Sequence, residues 1–297
     1  MPSFVAGPSD HVPNRRSGPV PVLPHALTKT ILQLYDYPHP WKPHTIIRGY
    51  DKAHALRTAT MCVAVARYLS HEPSRLRSFH IACLLHDLGR AGLDPRLFGR
   101  IWSWARKHNV PTRPAEWRLR HPHSHYGGEA KAFVKAHGQQ LADEGVPLTP
   151  WACEQIDMRL DFARRHRRQL KRAKPTLESL GIRWLPWMEL VTLSYYYPEK
   201  LAQSPGWVRE LGEILIACEQ LEAYSNRRRG KDYYTRVQES FTEAFTYLDS
   251  LQRQNRLSVR VLNAVRRLTA SGSFDPVLKA ARGGILAPDE QRFLRSL

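Results

Sequence analysis

From residue 50 onward, apolar positions recur at spacings of three and four. Leu56, Ala59, Val63 and Ala66 form one stripe, the period of a helix that lays one face on a core. A second helix follows Pro73, with Ser74 as its cap and Leu76, Phe79, Cys83 and Leu84 turned inward. Gly89 and Gly92 end it. Upstream, six prolines from Pro2 to Pro24 deny residues 1–26 both helix and ladder and predict an irregular arm. A short helix near 27–36 precedes the turn-rich stretch Tyr37 to Pro43. Short helical pieces are expected over 93–120 and a helix over 126–140. After the break at 145–150, a long basic helix runs to Lys174. Pro175, Gly181 and Pro186 punctuate the next stretch. Helices are then expected at 187–195, 207–229, 231–255 and 258–270, with a final pair at 275–281 and 288–296. Strand-like alternation is nearly absent and no repeat period shows. The pattern predicts an all-α bundle: an arm and short helix at 1–47, one domain at 48–285, and a C-terminal helix at 286–297.

Composition narrows this only slightly. The chain has 297 residues, 42% apolar and 24% charged, within globular norms. No run approaches the roughly 18 apolar residues of a membrane span, and the N-terminus lacks the apolar stretch of a secretion signal. A cytoplasmic protein is expected. Cys62, Cys83, Cys153 and Cys218 lie far apart among apolar residues, which reads as buried free thiols.

Charge changes the picture more. There are 45 basic and 27 acidic side chains, a net +18, and such a chain draws polyanions. Arg159, Arg164, Arg165, Arg167, Arg168, Lys171, Arg172 and Lys174 crowd one helix, where Asp161 is the sole acid. Like charges three and four residues apart repel. A nucleic acid bound through Arg164–Lys174 would relieve them; a solvated helix with counterions is the plainer alternative.

The chemistry concentrates at His54 and at Leu84-Leu85-His86-Asp87-Leu88-Gly89-Arg90. An adjacent His-Asp pair ending an apolar helix is expensive unless a partner compensates it. A divalent cation does so, and imidazole with carboxylate suits iron, manganese, zinc or nickel. Ligands carried on two helices make an inward-facing site in a bundle. A buried hydrogen-bonded cluster without metal is the alternative.

This pattern resembles the HD superfamily of metal-dependent phosphohydrolases, and one branch in particular, the HD-GYP cyclic di-GMP phosphodiesterases. Leu84 to Leu93 reads LLHDLGRAGL, His121-Pro122 follows Glu116-Trp117, and Gly272-Ser273-Phe274-Asp275-Pro276 is similar to the segment that closes such domains. The resemblance covers residues 48–285. It implies metal binding by His54, His86, Asp87 and His121, with Asp87 as the bridge. Arg90 takes the place of the family's phosphate-contacting lysine.

The resemblance then thins. Tyr195-Tyr196-Tyr197-Pro198 stands at the GYP segment, but residues 187–194 lack the expected His-His pair. Glu219 occupies the position of the last aspartate ligand. His123, His125 and Glu189 are the residues at hand to replace missing ligands. Tyr197 is placed to stack on a base, or to pack in the core, and Arg228 and Arg229 to hold ligand phosphates. The activity implied is hydrolysis of a phosphodiester such as cyclic di-GMP at an incomplete metal site. Water acidified by the cation attacks phosphorus, and Arg90 steadies the added charge. Two alternatives stand beside it: an inactive domain that senses a cyclic dinucleotide or docks on a protein, and a nucleic-acid-associated HD protein. A homodimer fits any of them.

Overall fold

The computed structural model describes residues 22–42, 44–124, 127–226 and 240–297. It is an all-α bundle with one minor two-stranded ribbon. Among the described residues no helix is long and apolar enough to cross a membrane.

The bundle is built around α11 (Gly206–Ser225), which is buried at every position from Leu211 to Glu222. A helix of that kind belongs at the centre. α2 (Lys52–Tyr68), which packs on α3 (Pro73–Leu84), lies against it, as does α9 (Pro186–Leu193). α12 (Phe241–Arg253) and α13 (Val259–Ala270) cover other sides. α14 (Asp275–Ala281) and α15 (Pro288–Arg295) close the C-terminal end. α1 (His25–Gln33) docks on α2 and α3, with Leu23 and Ile31 in the main core. α10 (Pro198–Ala202) links α9 to α11.

A second apolar cluster gathers under α4 (Pro95–Lys107), α5 (Pro114–Arg120), α6 (Glu129–Asp143) and α7 (Pro150–Leu160). Trp102 and Trp117 are buried there on Phe133, with ring centroids 5.6 and 5.9 Å from it. α8 (Phe162–Ser179) follows α7 and runs against the loop that ends α3. The ribbon pairs β1 (Tyr37–Pro38) with β2 (Ile46–Ile47) antiparallel, Tyr37 opposite Ile47.

Three expectations about helix ends need correcting. Ser74 does not cap α3: Pro73 is already its first residue and Glu72 the flanking one, because proline's fixed φ suits the first helical position. The long basic helix is two helices, broken at Asp161, where the backbone leaves helical geometry at φ −125° and ψ 35°. Pro175 does not end it, since α8 carries the proline inside and continues to Ser179. Cys62, Cys83 and Cys218 are buried free thiols, as the sequence suggests, but Cys153 is only half-buried.

Candidate metal centre

α2 supplies His54 in its first turn, and His86 and Asp87 follow α3 after one intervening residue, Leu85. The chain turns there through a short 3-10 segment, Leu88–Arg90, held by Leu88 N–H to Leu85 O at 3.0 Å and Arg90 N–H to Asp87 O at 2.8 Å. The two helices pack on each other, so these three side chains meet in the interior, each at most 4% exposed.

Their ligand atoms lie within 4.8 Å of one another. His86 Nε2 is 3.2 Å from His54 Nε2. Asp87 Oδ2 is 3.6 Å from the first imidazole and 3.8 Å from the second. The opposite ring nitrogens are both committed. His86 Nδ1–H donates to Cys83 O at 2.7 Å, and His54 Nδ1–H donates to Glu222 Oε2. When both rings are neutral, two Nε2 lone pairs therefore face each other beside a carboxylate. A proton or a cation is needed between them.

The donor set fits a divalent metal. Nitrogen ligands about 2.1 Å from one ion sit about 3.0–3.4 Å apart, between octahedral and tetrahedral angles, and the observed 3.2 Å falls inside that span. Asp87 Oδ2 also accepts from Arg90 Nη1 at 2.8 Å, but a carboxylate oxygen has a second lone pair to give. Burial pulls the His86 imidazole below its ordinary pKa, and the neighbouring Asp87 pulls it back up. The neutral ring favoured by burial is the form that binds metals.

Further residues hold the site in place. Glu222 is fully buried on α11, and its Oε1 accepts from Arg57 Nε at 2.8 Å and Nη2 at 2.6 Å. Arg90 reaches from Asp87 to the Tyr196 hydroxyl, donating to it at 3.1 Å, and its Nη1 lies 4.0 Å from the buried Asp51. Tyr196 stacks flat on Phe162, centroids 4.3 Å apart. Burial pushes its hydroxyl up to about 12, so it stays neutral while it accepts from the guanidinium. Arg165 is 1% exposed beneath the loop. It donates to Gly89 O at 2.8 Å and Ala91 O at 2.7 Å, and pairs with Glu154 at 2.5 Å. Gly89 is required by closeness, since a Cβ there would come within 2.7 Å of the Phe162 ring. Gly92 is required by conformation, at φ +83° against the Tyr37 ring.

The structure gathers some of the sequence-derived candidates and not others. His54, His86 and Asp87 converge, with Arg90 alongside. Glu219 is buried on α11 and its charge reaches His86, yet it does not join the three-atom group; its Oε2 accepts from Gln220 at 3.3 Å. His121 ends α5, in the other apolar cluster, with its ring stacked on Trp117 at 4.1 Å. It lines a hollow with Arg120, His123 and Lys131 and is not brought to His54. Tyr197 is 2% exposed and packs with Phe162, Ala163 and Leu193. Glu189 is taken up by Arg167 at 2.7 Å. Arg228, Arg229 and His125 lie outside the described residues.

Glu222, Arg57 and Arg165 were not singled out for the site from sequence. The available signal was an acid at Glu222 one helical turn beyond Glu219, within the apolar run 214–223. Buried carboxylates in such a run need partners.

Among the described residues, much of the crowded charge on α8, though not that of Lys171, is answered within the fold. Arg164 pairs with Asp157 and Asp161 at 3.3 and 2.5 Å, and Arg168 approaches Glu154 at 4.0 Å. Lys174 pairs with Glu178 at 3.6 Å. Arg172 donates to Asp36 O at 3.0 Å and lies 4.8 Å above the Tyr37 ring. Most of these acids come from elements other than α8, which is why the run of 159–174 looked uncompensated.

Compared with known proteins, the chain matches no family model, no curated protein and no solved structure. What stands is an all-α domain with a buried His-His-Asp cluster of the kind an HD-like metal motif forms.

Proposed function

We infer that this protein is a divalent-metal phosphohydrolase of the HD type, acting on a phosphodiester of the cyclic dinucleotide class. One observation carries the reading: two imidazole Nε2 atoms and a carboxylate oxygen converge in the interior, with the Nδ1 of each imidazole already engaged. His54, His86 and Asp87 would hold the ion, which when bound supplies Lewis acidity to the phosphoryl oxygen and acidifies water.

The chain's own residues do the rest. Glu222 and Cys83 O fix which ring nitrogens face inward. Arg90 sets a guanidinium beside Asp87, steadied by Tyr196, where charge on a transferring phosphoryl group would need support. Arginine offers a fork rather than a lysine's point charge, suited to two phosphate oxygens at once.

A second reading draws on the number of ligands. Only three donors of the described residues form the group, which suits one ion. A single ion clamps one side of a phosphoryl displacement where a pair clamps both. A domain that binds a cyclic dinucleotide without cleaving it is the resulting alternative.

The deciding experiment measures metal per chain by elemental analysis, for wild type and Asp87→Ala, with turnover of bis(p-nitrophenyl) phosphate in parallel. The phosphohydrolase reading expects near-stoichiometric metal and turnover in the wild type and neither in the variant. Metal that depends on Asp87 without turnover selects the binding domain. Absence of metal in both proteins after reconstitution overturns the metal centre.

A further inference from the structure

The outer side of α8 borders an open hollow of about 690 Å³ whose other wall is residues 181–189. It shares no residue with the metal centre. Its size lies within the roughly 300–1,000 Å³ of small-molecule sites. Leu170, Leu177, Ile182 and Trp184 give it an apolar lining.

Its charges are unevenly committed. Both acids are already paired, Glu189 with Arg167 at 2.7 Å and Glu178 with Lys174 at 3.6 Å. Lys171 on α8 and Arg183 on the other wall are exposed and have no hydrogen-bond or ion-pair partner among the described residues. The half-buried Trp184 adds an aromatic wall, and its buried indole Nε1–H makes no hydrogen bond among the described residues. Two uncommitted cations on separate walls attract an anion of more than one charge. An apolar, aromatic lining beside them calls for a flat ring on the same molecule.

The geometry points to this hollow as a binding site for a nucleoside monophosphate, its base against Trp184 and its phosphate between Lys171 and Arg183. A fatty acid suits it less, because the hollow is open and a carboxylate brings only one charge for two cations. The site needs no metal and goes beyond the phosphohydrolase reading.

The test is calorimetric titration of the full chain with GMP in EDTA, with guanosine as the uncharged control. The proposal expects GMP to bind, guanosine to bind about tenfold more weakly or not at all, and affinity to fall as salt rises. Lys171→Glu/Arg183→Glu, both changes on exposed side chains, should weaken GMP about tenfold or more. Asp87→Ala should bind GMP as wild type does, which separates this site from the metal centre whether or not that centre is active. Trp184→Phe should lose the tryptophan quench that GMP produces. No heat with millimolar GMP, equal binding of guanosine, or an unchanged affinity in the charge-reversal variant each overturns the proposal.

Discussion

Glu222 on α11 holds His54 on α2 by its Nδ1, while the other carboxylate oxygen accepts two hydrogen bonds from Arg57. One buried acid therefore ties two helices together and decides which face of an imidazole looks into the site. Carboxylate partners of metal-binding histidines raise ligand basicity and fix ring orientation.

Glu222→Gln should accordingly weaken metal affinity by about 10–100-fold. The amide keeps the side-chain volume but loses the charge, and its NH2 cannot accept from Arg57. The measurement is zinc affinity by competition with a chromophoric chelator, with circular dichroism as the check on helix content. Wild-type affinity in a folded variant would remove Glu222 from the site.

Arg90 and Tyr196 make a graded pair of variants. If Arg90 steadies transferred charge, Arg90→Ala keeps its metal and loses about 100–1,000-fold in turnover. Tyr196→Phe removes only the 3.1 Å hydrogen bond that steadies the guanidinium, so turnover should fall about three- to tenfold. Equal turnover in Arg90→Ala and wild type would show that the guanidinium serves only to neutralise Asp87.

Arg165 carries a stability prediction. Its guanidinium is buried and spends its donors on two loop carbonyls and Glu154. Arg165→Met would strip Gly89 O and Ala91 O of their donor and leave Glu154 without this partner. Breaking a buried charged network on one side should cost about 3–5 kcal/mol. Arg165→Lys should recover little, since one ammonium cannot span all three acceptors. Urea denaturation measures both, and near-wild-type stability for Arg165→Lys would contradict the forked geometry.

Arg165 also shows where sequence reading stops. It sits among seven other cations and nothing in their order marks it as the buried one. The partners that distinguish it, Glu154 and two carbonyls after Asp87, come from other parts of the chain. The helices are readable because apolar spacing is a local signal, and His86 and Asp87 because metal donors at the end of an apolar helix are conspicuous, with His54 drawn in as the histidine upstream of that pair. Glu222 was one turn from the acid that drew notice, Glu219, and only the rotation of α11 against α2 separates their roles. The resemblance implies His121 as a further metal ligand, but α5 is occupied in burying Trp117, and His121 stays on that ring.

Acid should loosen the fold in a defined window. His80 on α3 is 8% exposed, neither ring nitrogen has a hydrogen-bond partner among the described residues, and burial lowers its pKa to about 4. His166 on α8 is likewise lowered to about 4 by burial, although its Nε2–H donates to Leu85 O at 3.1 Å. In the unfolded chain both titrate near 6.5. Between those values the unfolded chain binds more protons than the folded one, so stability rises with pH. It is intact above about 6.5 and falls as pH drops towards about 4. Below that, these two groups cost no more. Each histidine accounts for about 3 kcal/mol across the window. His80→Leu removes one titrating group and one set of unanswered ring nitrogens. Urea midpoints from pH 7.5 to 4 should show a shallower decline for His80→Leu than for wild type, the curves parting below pH 6.5. Parallel curves would mean that His80 takes up its proton without opening the fold.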